Sequence, residues 1–277
     1  MKQRLVVLPD HGQLMVSADL HGNMQDLLAL EAHFERLRSS SSNVHWVLLG
    51  DLVHGPDSAA RARQPELYDF PDESFAVVDH VGKLQAAWPG NVHLLLGNHD
   101  HGHVGGVHTS KFHHDEVEHL ESTLSADQRA RLVAVLEGAA LVAIAPCGVL
   151  LAHGSPDASL FDVHAVNSLD LDPRNNDRHG QWLLSSLLGS YGQPDAVTRE
   201  VLEHAGRSAG MDLRVVVHGH DRDEAGFFVE GEHQVCAVVF GAPPRNKRFV
   251  VLDLAARYPD AHAFREGHEV LRLYPTA

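Results

Sequence analysis

The chain is short of cysteine, of positive charge and of long apolar runs, and each shortage removes a class of function. Its only cysteines, Cys147 and Cys236, form no Cys-x-x-Cys pair. That speaks against a disulfide-stapled secreted domain and for a reducing compartment, with the cytoplasm expected. Neither cysteine opens a Cys-x5-Arg loop, because His153 and Ala242 stand six residues on, and the chain has neither a Gly-x-Ser-x-Gly elbow nor a Walker A loop. Covalent catalysis has no motif to rest on. With 22 Lys and Arg against 37 Asp and Glu, the formal charge is -15, so neither nucleic acid nor an anionic membrane is an expected partner. No apolar stretch approaches the ~20 residues of a membrane span, and the opening run MKQRLVVLPD is stopped at Pro9, so neither export nor anchoring is expected.

What the chain does have is histidine, 23 residues of it, which raises the expectation of metal chemistry. With 44% hydrophobic residues over 277 positions it can bury one substantial core, and a single domain over 1–277 is expected.

A repeated grammar runs along the sequence. Residues 4–8 and 13–18 read as a hairpin or two sequential strands around Asp10-His11-Gly12. The second runs into Asp19-Leu20-His21-Gly22-Asn23, after which Asn23 caps a helix carrying Met24, Leu27, Leu28, Phe34 and Leu37, with Asp26 placed to complete a capping box. VHWVLL (44–49) runs into Gly50-Asp51, and VHLLL (92–96) into Gly97-Asn98-His99-Asp100, with a helix over 74–88 between them. Further helices are expected over 125–137, with a Ser125/Gln128 capping box and a stop at Gly138, over 182–188, and from Asp195 to about Ala205. GVLLA (148–152) ends in His153-Gly154 and LRVVV (213–217) in His218-Gly219-His220, while 234–240 and 248–254 read as an antiparallel hairpin. Continuous apolar strands alternating with helices imply an α/β fold, parallel pairing, and a sheet covered on both faces.

Five polar clusters thus follow apolar strands in order: Asp19/His21, Asp51, Asn98/His99, His153 and His220. Ligand sites of α/β sheets lie at the carboxyl ends of strands, so these loops are expected to converge. Imidazole and carboxylate suit Mn, Fe or Zn, and a carboxylate can bridge two cations. Two cations ~3.5–4 Å apart can share a hydroxide and lower its pKa from about 15.7 toward ~7.

The ordered set SADLHGN, VLLGDLV, LLLGNHD, LLAHGSPD, NNDRHG, VVVHGHDRDEAGFF and VVFGAPPRN, spanning about residues 14–254, resembles the calcineurin-like metallophosphoesterases. The later segments are most similar to the phosphoprotein phosphatases of the serine/threonine type. The resemblance implies a central pair of sheets flanked by helices and two divalent metal ions, manganese first and Fe or Zn as alternatives. By position it implies that Asp19 and His21 bind one metal, Asn98, His153 and His220 the other, and that Asp51 bridges them. His99 would donate a proton to the leaving group, and Arg178 would bind phosphate, with Arg174, Arg222 and Arg245 as alternatives. The implied activity is hydrolysis of phosphorylated Ser or Thr, with Tyr open, by attack of the bridging hydroxide, and the implied partner a phosphorylated protein or peptide. A dinucleoside polyphosphate or nucleotide hydrolase is the sister reading, and a regulatory metal-binding module that has lost turnover the reading of another class.

The chain departs from the family pattern at several places, one of which, Arg222 at the last position of Gly-His-x-His, matches the protein-phosphatase branch. His54 stands where the family has the aspartate that steadies the donor histidine, Gly55 where it has a phosphate-binding arginine, and Pro244-Arg245 where it has Asn-Tyr. The histidines of 101–119 are expected in a solvated lid, because they are irregularly spaced on a polar stretch. His45 and His93, inside apolar strands, are expected in the core or behind the ligands, and His220 is preferred to His218 as the ligand.

Overall fold

The computed structural model describes residues 3–274; Met1, Lys2 and residues 275–277, the ends of the span taken as one domain, lie outside the described residues. Its strands are β1 (Leu5–Val7), β2 (Gln13–Ser17), β3 (Val44–Leu48), β4 (Val92–Leu94), β5 (Val142–Ala145), β6 (Val149–Ala152), β7 (Val215–His218), β8 (Phe227–Glu230), β9 (Gln234–Ala237), β10 (Arg248–Asp253) and β11 (Val270–Arg272). Its α-helices are α1 (Met24–Ser40), α2 (Ser58–Arg63), α3 (Pro65–Tyr68), α4 (Ser74–Ala87), α5 (Asn98–His101), α6 (Glu116–Thr123), α7 (Ala126–Glu137), α8 (Arg178–Gly189) and α9 (Asp195–Ala209).

The strands form two mixed sheets, one ordered β1-β5-β6-β7-β9-β8 and the other β11-β10-β2-β3-β4. Alternation along β2 and β3 explains why they stack. Leu14 and Val16 of β2 join Val47 and Leu49 in a core shared with Ala143, Leu151, Val215 and Val217 of the other sheet. Met15, Trp46 and Leu48 point the other way and pack with Leu27, Leu30 and Phe34 of α1 and Val77, Val78 and Val81 of α4. Strand residues alternate faces, so a strand buried on both sides is apolar throughout, as the sequence is. Ser17, a polar residue on the helix-facing side of β2, accepts the Trp46 indole N–H at 2.9 Å.

The pair of sheets flanked by helices is the architecture the resemblance implied. Parallel pairing holds for β2-β3-β4 and for β6-β7-β9, but β5-β6, β8-β9, β10-β2 and β10-β11 are antiparallel. The hairpin expected between 234–240 and 248–254 does not form. β9 pairs with β7 and β8 whereas β10 pairs with β2 and β11, because the intervening Val238–Lys247 segment crosses from one sheet to the other. β1 and β2 likewise lie in different sheets, so of the two readings of 4–18 the sequential strands stand.

Helix ends follow the capping chemistry. Asn23 accepts Asp26 N–H, and Ser125 and Gln128 form the reciprocal box of α7. Asp26 does not close a box of its own: its carboxylate is buried against the Lys247 ammonium and accepts the Tyr274 hydroxyl at 2.7 Å, because tertiary partners outcompete the local one. Asp195 begins α9 but Pro194 is its cap, and the Asp195 carboxylate accepts Glu232 N–H at 2.7 Å instead. Among the described residues no helix is long and apolar enough to cross a membrane.

Candidate metal centre

The loops that leave β2, β3, β4, β6 and β7 converge, as the strand-end argument requires. Among the described residues the only non-glycine residues with positive φ are His21, Asp51, His54 and His220, at 44°, 52°, 70° and 65°, and all four stand in these loops. Left-handed backbone disfavours L side chains, and such strain concentrates where side chains must be aimed at a site. Gly97 permits the closest approach: a Cβ there would lie 2.1 Å from Asp51 Oδ1.

Asp51 is the hub. Its Oδ2 lies 3.6 Å from His21 Nε2 and 3.5 Å from His153 Nε2, while its Oδ1 accepts His99 N–H at 2.9 Å. His153 Nε2 lies 3.1 Å from Asn98 Oδ1, which is 3.0 Å from His220 Nδ1. On the other side Asp19 Oδ2 is 3.9 Å from His21 Nε2, and its Oδ1 accepts His220 N–H at 3.1 Å. The distal ring nitrogens are fixed: His21 Nδ1 meets the Val53 and His54 carbonyls at 3.0 and 3.1 Å, and His153 Nδ1 meets the Leu49 carbonyl at 3.0 Å. A ring nitrogen tied to a carbonyl sets the tautomer that leaves the other free as a ligand.

This donor set fits divalent cations. Ligand atoms each ~2.1 Å from one ion stand roughly 3–3.5 Å apart; the 3.6 and 3.5 Å spacings around Asp51 Oδ2 are near that and long for hydrogen bonds. Asp51, His153 and His220 form one group of converging ligand atoms, and His21, Asp51 and His99 another. The charges bear this out: burial drives the Asp19 carboxyl up, while Asp51, despite burial, is held below the usual carboxylate range by His153, His99 and His220. Two buried carboxylates facing each other need positive charge between them.

His99 lies beside the hub, its ring edge-on to His21 at 4.6 Å between centroids. Its Nδ1 is 3.2 Å from Glu116 Oε2, 3.0 Å from His54 Nδ1 and 3.1 Å from Thr109 Oγ1. Burial opposes the charge on Glu116, but the contacts with His99, Thr109 and the Phe112 N–H together outweigh it and bring the carboxyl down to about 2. His54 in turn reaches His103 through Nε2 at 3.0 Å, and His103 Nδ1 lies 3.0 Å from Glu121 Oε1.

These contacts overturn the solvated lid for 101–119. His101 and His103 are buried, His101 Nε2 meeting the Leu171 carbonyl at 2.5 Å, and only the outer part of the segment, with His108, His114 and His119, is exposed. Irregular spacing hid the burial because partners from outside the segment create it. His45 and His93 stack on each other with centroids 5.8 Å apart. His218 keeps its Nδ1 on the Gly219 carbonyl and groups with Asp221 and Cys236 rather than with Asp51.

Arg178 begins α8 and is exposed, and no hydrogen bond or ion pair joins it to the cluster. Arg174 is occupied by Asp172, and Arg222 donates to the Tyr68 hydroxyl at 3.3 Å. The cation found at the centre is one the sequence reading passed over. Lys111 Nζ lies 3.1 Å from His21 Nε2 and 4.4 Å from the Phe240 ring centroid, and burial together with Arg222 lowers its pKa to about 8. Lysine and threonine in a loop, or a glutamate at a helix start, carry no spacing signal, so Lys111, Thr109 and Glu116 were not legible.

Comparison with known proteins places this geometry. Residues 12–224 match the family model described as calcineurin-like phosphoesterase. Curated protein sequences gave no match. Among solved structures, a cold-active protein-tyrosine phosphatase of the psychrophile Shewanella superposes with TM-score 0.62 at 15% identity, over 92% of this chain and 78% of the other. A protein serine/threonine phosphatase from Saccharomyces cerevisiae superposes with TM-score 0.56 at 15% identity, over 91% and 77%. At such identity these two speak for the fold alone.

Proposed function

The chain belongs to the calcineurin-like phosphoesterase family and is a hydrolase of phosphate esters, a premise from which we propose that it is a phosphomonoesterase acting on phosphorylated protein or peptide, with two manganese ions as its metals. The observation that carries this reading is the placing of Asp51 Oδ2 between His21 and His153, with one donor set on each side. Asp19, His21 and Asp51 would hold one ion, and Asp51, Asn98, His153 and His220 the other. Bound there, the pair would acidify a water and polarise the phosphoryl oxygens.

The chain's own groups do the rest. Lys111, rather than the exposed Arg178, would meet a phosphoryl oxygen beside His21, its ammonium passing from the His21 Nε2 lone pair to that oxygen when a cation takes the lone pair, and so would compensate for the glycine at position 55. His99 gives a proton to the leaving-group oxygen. Beside Asn98 and Thr109 opens a cavity of about 260 Å³ with Val107, Pro173, Leu184 and Leu188 in its wall, which suits an apolar leaving group such as the ring of phosphotyrosine. The formal charge of -15 disfavours a polyanionic dinucleoside tetraphosphate over a singly phosphorylated peptide. A panel of phosphotyrosine and phosphoserine peptides against diadenosine tetraphosphate tests the reading. Higher kcat/KM for a peptide is expected, and preference for the nucleotide by orders of magnitude would reverse it.

A further inference from the structure

We propose that Glu116 is the positioning residue of the proton-donating histidine: its carboxylate holds His99 by Nδ1 and so presents Nε2 to the leaving-group oxygen. The inference rests on the donor role given to His99 above and adds the group that makes that role possible.

Glu116 is the first residue of α6 and is buried, with 1% of its surface exposed. A carboxylate is seldom buried without a matching charge, because desolvating it unmatched is unfavourable. One oxygen, Oε1, accepts the Phe112 N–H at 2.9 Å, and the other, Oε2, makes no aligned hydrogen bond but lies within ion-pair distance of His99 Nδ1, at 3.2 Å.

His54 cannot take this place. The chain of contacts behind it has a direction, fixed at its far end by Glu121, whose carboxylate can only accept. His103 therefore donates from Nδ1 to Glu121 and accepts at Nε2, and His54 donates from its Nε2 to His103 and accepts at Nδ1. His54 Nδ1 is the atom 3.0 Å from His99 Nδ1, so the proton between them belongs to His99. His54 and Glu116 thus both call for Nδ1–H on His99, and Thr109 Oγ1, 3.1 Å away, can accept from it as well. Only Glu116 brings a negative charge to balance the ring while Nε2 also carries the proton to be given away. On transfer, that proton leaves Nε2 for the ester oxygen as the P–O bond breaks, and the ring is left neutral with Nδ1–H still held.

Glu116→Gln tests this, since the amide oxygen can keep the Phe112 contact while the NH2 group then opposes Nδ1–H. For the poor leaving group of phenyl phosphate, kcat/KM is expected to fall about 30- to 100-fold, against threefold or less for 4-nitrophenyl phosphate, whose anion needs little protonation. Glu116→Asp should recover part of the loss. In magnesium-loaded, 15N-histidine-labelled protein, long-range 1H–15N correlations should show His99 protonated at Nδ1 in the parent and a changed tautomer mixture in the Gln variant. Equal slowing of both esters overturns the proposal, and so does an unchanged His99 tautomer. Should the parent protein hydrolyse no phosphate ester, the proposed function fails while the tautomer measurement still decides for or against Glu116.

Discussion

Lys111 Nζ lies 3.1 Å from His21 Nε2, the ring nitrogen that the Val53 and His54 carbonyls leave free for a cation. An ammonium so placed is a second positive charge at the edge of the centre, held on a flexible stem between Phe112 and Phe240. Lys111→Ala is expected to weaken inhibition by inorganic phosphate and raise KM by about 10- to 100-fold, the value of a lost charge-assisted hydrogen bond. Arg178→Ala, at an exposed helix start, should change both by less than about threefold. Titration of phosphate against both variants reads the difference, and a larger effect at Arg178 would restore the assignment that the family resemblance implied.

Asp51→Asn should cost more than any other single change at the centre. The carboxylate touches both donor sets, and an amide offers one neutral oxygen in its place. Metal content by elemental analysis is expected to fall from two ions toward one or none, and activity by more than the ~10–100-fold typical of residues that only support ligands.

His99→Ala should leave metal content unchanged and slow poor leaving groups by about 10²–10⁴-fold, with activated aryl esters much less affected. Equal losses across a leaving-group series would remove His99 from the donor role.

How much of this was legible depends on what carries the signal. The candidate ligands could be read because each follows a mostly apolar run in which polar residues such as His45 and His93 stand singly, so a polar cluster shows where the strand ends. The split into two sheets could not be read from pattern: Asp10-His11-Gly12 and Ala242-Pro243-Pro244 mark a change of direction, and a reversal within one sheet looks like a crossing to the next. The short strands β5, β8 and β11 lie below the length at which alternation is informative. Glu116 and His103 were hidden for another reason, because His99 of α5, His54 and Glu121 of α6 come to them through the fold rather than through any sequence spacing.

Away from the centre, His93 gives a pH dependence whose direction follows from burial. Burial, with the neighbouring His45, lowers its pKa from 6.5 to about 4, so the unfolded chain binds the proton more tightly than the fold does. The stabilising contribution is therefore complete above pH 6.5 and is lost as pH falls toward 4. Urea midpoints measured from pH 7 to 4 should fall more steeply for the parent than for His93→Gln.

The pair Asp26 and Lys247 joins α1 to the start of β10 inside the protein. Asp26→Ala leaves the ammonium buried without its partner and is expected to cost about 3–5 kcal/mol in chemical unfolding. Asp26→Ala combined with Lys247→Met should recover most of that loss.

Asp19, Asp51 and Asn98 hang from the five-stranded sheet, whereas His153 and His220 hang from the six-stranded one. A cation held by these side chains would be gripped from both sides and would work as a rivet through the sandwich, its hold sensitive to how far the two layers can slip. Chelation should then loosen the layers as well as silence the centre, and any distant substitution that lets them shear would be felt first as weakened metal affinity.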